Sequence, residues 1–369
     1  MASKEDNQVA VGALLRNATP SMDHINEALS QRQMDEAALH KFVEEEVLQD
    51  DFIYKKEGPE NAPYIKFFDE SLDSHWRDTV IDSYLSSDRK HWDELSDEPM
   101  RKRILLILSF FAGADGIVTR NLMQRFSHEC EKSIIEAFYA FQAFQEVIHG
   151  FTYTKLINTY TDGPEHRQEI FESLRTNPVI RKKALFALNN LEHESLSVGE
   201  RLVAFACVEG ILFSSSFATI YWLKRRYPGK FTALVDSNDY IARDEKRHAD
   251  FACVRYVNEV QDKLSQKRVH EIIFEAVQCE LEFVAQLFPP GETEIEMNFE
   301  IMSSYVMQIA NQLLNHLGYE ILFHNDKAMI PMFMLELGTR CKVNMHEKPG
   351  NEYKTTVKKS MFLRKDLLK

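Results

Sequence analysis

The 369-residue sequence predicts an all-α bundle of unusually long helices. Three observations carry that prediction. Only 13 Gly and 11 Pro punctuate the chain, too few breakers for many short strands and turns. Apolar residues recur at helical spacing from about Pro63 to Ala328, in stretches longer than strands run. The composition, 44% hydrophobic and 11% aromatic, is that of a packed globular protein, and the length supports a large core.

In chain order, residues 1–62 read as a separate, partly helical extension. They hold a polar start, MASKEDNQ, a candidate amphipathic helix near Met22 to Leu48, and the acidic run Glu44-Glu45-Glu46, which reads as a solvated face. Lys55 to Pro63, with two prolines and a glycine, is a linker. The bundle is expected over residues 63–330. Pro99 suits the first turn of a helix capped by Ser96 or Asp97, whose apolar run continues past Leu122. Further helices are expected near Cys130 to Tyr160, Val179 to Asn190, Glu194 to Arg226, Phe231 to Leu264, Lys267 to Phe288 and Ile295 to Phe323. Pro228-Gly229 and Pro289-Pro290-Gly291 are breaks. Residues 331–369 read as a flexible C-terminal tail. Between Lys342 and Lys369, eight Lys or Arg outnumber three Asp or Glu, and no apolar periodicity is sustained.

Charge and cysteine usage exclude several function classes. A net charge of -13 argues against nucleic acid as the main partner. Cys130, Cys207, Cys253, Cys279 and Cys341 stand far apart, are odd in number and form no CxxC pair. Neither a disulfide framework nor a thiolate zinc site is expected, and a reducing compartment is. The N-terminus lacks an apolar signal core. The most apolar run, Ile104 to Ala114, is too short to span a bilayer and leads straight into Asp115. The expectation is a cytoplasmic protein with no membrane partner.

Four acidic residues sit inside apolar helical stretches: Asp115 in SFFAGADGIV, Glu146 in FQAFQEVIHG, Glu209 in AFACVEGILF and Glu245 in YIARDEKRHADF. Two of them have a histidine three residues on, His149 and His248, so each pair shares one helix face and can hold one cation. Spacing alone is weak, since chance gives roughly one such pair at average Glu frequency. Context strengthens it. The helical neighbours of Asp115 are Phe111, Val118 and Leu122; those of Glu209 are Phe205, Leu212 and Phe213. A buried carboxylate without a partner costs several kcal/mol or loses its charge. Two divalent cations would balance four carboxylates, with two imidazoles completing the set. Oxygen-rich ligands with one imidazole per metal suit iron or manganese better than zinc or copper. The order Asp115, Glu146/His149, Glu209, Glu245/His248 fits the helix-bundle pattern of one carboxylate from each of two helices and a Glu-x-x-His from the other two. Gly116, Gly150 and Gly210 each follow a candidate ligand, as close backbone approach around a compact site would require. Other acids and histidines, such as Glu136, Glu280, His316 and His324, read as surface pairs or caps.

Tyr153 lies at i+7 from Glu146 and i+4 from His149, one turn past the ligands on the same face. Beside an oxygen-activating metal pair, its phenol is the nearest easily oxidised group. Phe213, Phe217 and Ile241 fall at spacings that could form a dry pocket around it.

These stretches resemble the radical-generating small (beta) subunit of class I ribonucleotide reductase, in its eukaryotic and viral branch. The resemblance is carried by FFAGADGIVTRNLMQRF, EVIHGFTYTKLINTY, FACVEGILFSSSFATIYWLKRR and IARDEKRHADFACV, in family order over roughly residues 63–355. It implies a ferritin-like bundle in which Asp115, Glu146, His149, Glu209, Glu245 and His248 hold two iron ions. It implies that oxygen and a reductant assemble the centre and leave a stable radical on Tyr153. It further implies a relay through His149, Asp244 and Trp76, with Tyr353 in GNEYKT bridging to a separate large catalytic subunit, and a homodimeric state. Three departures stand out. The family commonly has an acidic residue where Arg120 stands. Lys246 and Arg247, expected to point off the ligand face, are more basic than usual. The end, MFLRKDLLK, is basic and aliphatic where the family has an acidic, aromatic-tipped peptide. The rival readings are a ferroxidase of the ferritin type and a di-metal oxygenase acting on its own small molecule.

Overall fold

A computed structural model describes residues 58–337, apart from residues 128, 131, 192, 194, 295 and 326 and the side chains of residues 115, 124 and 174. The candidate helix at Met22 to Leu48 and the tail tyrosine Tyr353 lie outside the described residues.

The described chain is helical with one small hairpin. Its helices are α1 (Ala62–Asp73), α2 (Leu85–Glu94), α3 (Glu98–Asn121), α4 (Ser133–Tyr160), α5 (Pro164–Thr176), α6 (Pro178–Leu191), α7 (Val198–Gly210), α8 (Ser214–Arg226), α9 (Thr232–Glu259), α10 (Gln266–Leu287), α11 (Phe299–Leu317) and α12 (Met332–Leu337). Strands β1 (Thr293–Glu294) and β2 (Met297–Asn298) pair antiparallel, Thr293 opposite Asn298.

Helix ends follow their local chemistry. The Asp97 carboxylate caps α3 by accepting from the Met100 amide at 3.0 Å, with Pro99 in the first turn. Ser197 and Glu200 form a reciprocal capping box that starts α7. Asn298 caps α11 through the Ile301 amide at 2.8 Å, and Gly318, at φ 85°, ends it.

Several expectations change. The stretch Glu194 to Arg226 is two helices, because the Cys207 carbonyl accepts from both Ile211 and Leu212 amides and the coil widens. The apolar run past Leu122 does continue, but as a π-helical turn over Leu122–Phe126. Ile295 to Phe323 shortens to α11 plus the hairpin strand before it. Helices α1, α2 and α5 were not read from the sequence. The residues of α2 and α5 are largely polar, and all three helices have few buried side chains. Residues 332–337, placed in the tail by the sequence, form α12 and bury Met334. The glycine reading is also corrected. A Cβ at Gly116 or Gly150 would meet nothing described within 4 Å, and at Gly210 would make ordinary contact with Ala249 at 3.6 Å. Close approach therefore does not explain these glycines.

The most extensive helix–helix contacts are α3 with α4 and α7 with α9, and α4 also packs on α9. Among the described residues, two segments, Glu98–Asn121 and Val198–Arg226, are long and apolar enough to cross a membrane by composition. The second is nearly all buried inside the bundle and is broken between α7 and α8. Core helices of this kind meet the same criterion.

Candidate metal centre

The four inner helices α3, α4, α7 and α9 carry the sequence-predicted ligands. Asp115 falls in α3, and its side chain is outside the described set. Glu146, His149, Glu209, Glu245 and His248 are all at most 2% exposed. Ligand atoms of Glu146, Glu209, Glu245 and His248 lie within 4.8 Å of one another. His149 joins them: its Nδ1 is 2.9 Å from Glu245 Oε1 and 3.3 Å from Glu146 Oε2.

Whether this set suits metal ions is testable on its own geometry. Glu146 Oε1 comes within 3.0 Å of His248 Nδ1, and Glu245 Oε1 within 2.9 Å of His149 Nδ1. Neither oxygen has a hydrogen bond, although both are buried. The atoms converge on a common volume without being aligned to one another. Buried carboxylates at this density demand positive charge among them. Burial on its own would lower both histidines; instead the carboxylates of Asp244, Glu146 and Glu245 push His149 well above its ordinary range. Glu146 and Glu245 likewise raise His248 to about 9. A metal ion bound to either imidazole takes the place of a proton, so metal uptake is coupled to proton release.

Ring orientation points the same way. His248 Nε2 lies 3.3 Å from Gln145 Oε1, and His149 Nε2 lies 3.4 Å from Asp244 Oδ2. Both contacts anchor Nε2 and leave Nδ1 facing the cluster, the usual way an outer partner fixes a ligating histidine. Gln142 Nε2 donates to Glu209 Oε1 at 3.1 Å. Sequence reasoning missed Gln142 and Gln145. Their signal was available: each is a polar residue at i-4 from a candidate ligand, inside the apolar run FQAFQE.

Tyr153 is 2% exposed. Its ring stacks on Phe111 with centroids 4.5 Å apart and planes 22° apart. Phe111 in turn packs on Phe213 at 5.7 Å and Phe217 at 5.6 Å, and Ile241 is fully buried. Phe111 is the ring in direct contact with Tyr153, and Phe213 and Phe217 pack behind it.

On the other side of the cluster, Trp76 Nε1 donates to Asp244 Oδ2 at 2.7 Å, and the indole stacks on His149 at 5.8 Å. Burial opposes ionisation of Asp244, but Arg243 and His149 outweigh it and hold the carboxyl at about 2. Arg247 approaches the other carboxylate oxygen at 3.5 Å. Lys246 pairs with Asp250 at 2.8 Å, and His316 is 3.2 Å from the same carboxylate. These three residues line a cavity of about 100 Å³ that reaches Glu209 and Glu245.

One acid was misread. Glu280 is not a surface residue: it is fully buried, pairs with the equally buried Lys183 at 2.8 Å, and accepts from the Ser215 amide and hydroxyl.

Comparison with known proteins converges on one group. The family described as ribonucleotide reductase, small chain, matches residues 60–329. The chain is 41% identical over 280 residues to ribonucleoside-diphosphate reductase subunit M2 of Homo sapiens, covering 76% of this chain and 69% of the relative. It is 40% identical over 288 residues to the ribonucleoside-diphosphate reductase small chain of Nicotiana tabacum, covering 78% and 84%. The fold resembles that of the Rnr4 homodimer of Saccharomyces cerevisiae, with a TM-score of 0.68 at 23% identity over 85% of this chain and 98% of that one.

Proposed function

The chain belongs to the ribonucleotide reductase small-chain family, and from that premise we propose how its residues serve ribonucleoside-diphosphate reduction. The observation that carries the reading is the buried carboxylate–imidazole cluster with Tyr153 one turn further along α4.

We infer that Asp115, Glu146, His149, Glu209, Glu245 and His248 hold two metal ions. Iron is the proposed metal, and manganese suits the same donors. When bound, such a pair, assembled with O2 and a reductant, supplies the oxidising power to take an electron and a proton from the Tyr153 phenol. The chain's own residues do the rest. Gln145 and Asp244 hold the imidazoles with Nδ1 inward. Phe111, Phe213, Phe217 and Ile241 keep water and reductants from Tyr153. Asp244 accepts from the Trp76 indole N–H while His149 stacks against the same ring, a path by which oxidising equivalents leave the core. Tyr353, on the tail, is the proposed bridge to a large catalytic subunit, and the cytoplasm the proposed compartment.

The rival readings explain less. A ferroxidase has no need of the Trp76–Asp244–His149 connection. An oxygenase acting on an organic molecule needs more than about 100 Å³ beside its metals, since ligand pockets run to roughly 300–1,000 Å³. Metal titration tests the ligand set. Glu209→Ala and His248→Ala are each expected to lower bound metal per chain, measured by elemental analysis after desalting. Full loading of both variants removes these residues from the set.

We also propose a homodimer built on α4. Phe144, Val147 and Phe151 are 48%, 40% and 55% exposed and recur at i, i+3 and i+7, an apolar stripe on one helix face. Rnr4 of Saccharomyces cerevisiae, which has a similar fold, is a homodimer. Introducing Val147→Glu with Phe151→Glu is expected to convert a dimer to a monomer in sedimentation velocity. A double variant that sediments like the parent rules out this face.

A further inference from the structure

We propose that Tyr240 is a further redox station, one that returns an electron to oxidised Trp76. The inference rests on the relay reading of Trp76 above and extends it by one residue. Trp76 is in stacking contact with a second ring besides His149: the Tyr240 phenol, with centroids 5.4 Å apart and planes 26° apart. That separation is shorter than the 5.8 Å to His149. Tyrosine and tryptophan are the side chains most readily oxidised by one electron, and electron tunnelling falls steeply with distance, so stacked rings form a fast step. Tyr240 sits on α9 one turn before Asp244, so the residue that accepts from the indole N–H and the residue that stacks on the indole share a helix face. His149 is fully buried and Tyr240 only partly so, and the three rings therefore run from the core towards solvent.

The local charge limits how long the radical stays on Tyr240. The Arg243 guanidinium lies 5.7 Å from the Tyr240 ring centroid and 3.2 Å from Asp244 Oδ1. A cation beside an aromatic face favours the electron-rich, reduced ring. It makes the phenol harder to oxidise and keeps Tyr240 from becoming a trap that holds the radical. The step balances as follows. When Trp76 has lost an electron inward, its N–H stays donated to Asp244, and Tyr240 supplies one electron to the oxidised indole. The phenolic proton of Tyr240 passes to bulk water, leaving a neutral radical on Tyr240. That radical is the species next reduced from the large-subunit side.

Two variants and one probe decide the matter in the metal-loaded holoenzyme with its large subunit. Tyr240→Phe keeps the stacked ring and removes the oxidisable phenol; Tyr240→Leu removes both. Each is expected to keep the parent's tyrosyl EPR signal and to lower turnover by roughly tenfold or more. A packing role alone would leave Tyr240→Phe at parent turnover, which overturns the proposal. Replacing Tyr240 by 3-aminotyrosine, which is easier to oxidise, is expected to move spin from Tyr153 to position 240 once large subunit and nucleoside diphosphate are added. Absence of an aminotyrosyl signal overturns it as well. Parent turnover in Trp76→Phe would instead overturn the relay reading on which the proposal stands.

Discussion

Tyr153→Phe is expected to bind metal as the parent does, to give no tyrosyl EPR signal after loading with ferrous iron and oxygen, and to lose ribonucleotide reduction entirely. The change removes one oxygen atom and nothing else. The ring keeps its stack on Phe111 at 4.5 Å, and the apolar wall of Phe213 and Phe217 needs no repacking. Loss of a single buried hydroxyl costs about 1 kcal/mol, so the variant folds. Metal binding depends on side chains at least one turn away and is expected to stay at the parent stoichiometry. The signal and the turnover must therefore fall together while the metal remains. A tyrosyl signal that persists unchanged would move the radical to another phenol and sink the assignment. Loss of metal along with the signal would show instead that the variant damages the site, and Tyr153 would then be a packing residue.

How much of this was legible in the sequence depends on whether a feature is local. The Glu-x-x-His pairs, the acids in apolar runs and Tyr153 lie on the inner faces of long helices, and periodicity reveals a face. Five of the six predicted ligands come together in the described core. The Asp97 cap and the proline breaks are likewise local. What periodicity cannot give is which residue a face meets. Trp76 finds Asp244 across 168 positions, and Gln145 finds His248 across 103. The break after Gly210 was hidden because Ile211, Leu212 and Phe213 are as apolar as the helices they separate, and only the doubled acceptance at Cys207 marks it. Helices α2 and α5 escaped notice because polar side chains dominate them. The glycines beside the ligands invited a packing explanation that the open space at Gly116 and Gly150 removes.

Glu280 shows the same limit with the largest stability consequence. Its spacing carries no sign of a partner, yet Lys183 on α6 meets it on α10 at 2.8 Å with both side chains fully buried. The Lys183 ammonium also lies 3.5 Å from the Phe110 ring centroid and 3.9 Å from that of Phe283. Lys183→Met leaves a carboxylate in the core with only Ser215 to solvate it. Breaking one side of a buried pair costs about 3–5 kcal/mol, a large share of a total stability of roughly 5–15 kcal/mol. The variant is expected to melt about 5–15 °C lower in calorimetry. The double variant Lys183→Met/Glu280→Gln buries no charge and still offers Ser215 an acceptor, so it is expected to recover most of the loss. Glu280→Gln alone should depend on pH. Burial already lowers Lys183, so the unfolded chain holds the proton more tightly than the folded one. Stability of that variant must rise as pH rises, and fall again on acidification. A loss below about 1 kcal/mol in Lys183→Met would place this pair among the weak ones. The consequence reaches the site, because Phe110 packs at 5.8 Å on Phe111, the ring stacked on Tyr153, and at 5.1 Å on Phe213, which packs on Phe111 in turn. The tyrosyl signal of Lys183→Met is therefore expected to decay faster than the parent's, and that of the double variant to decay at nearly the parent's rate.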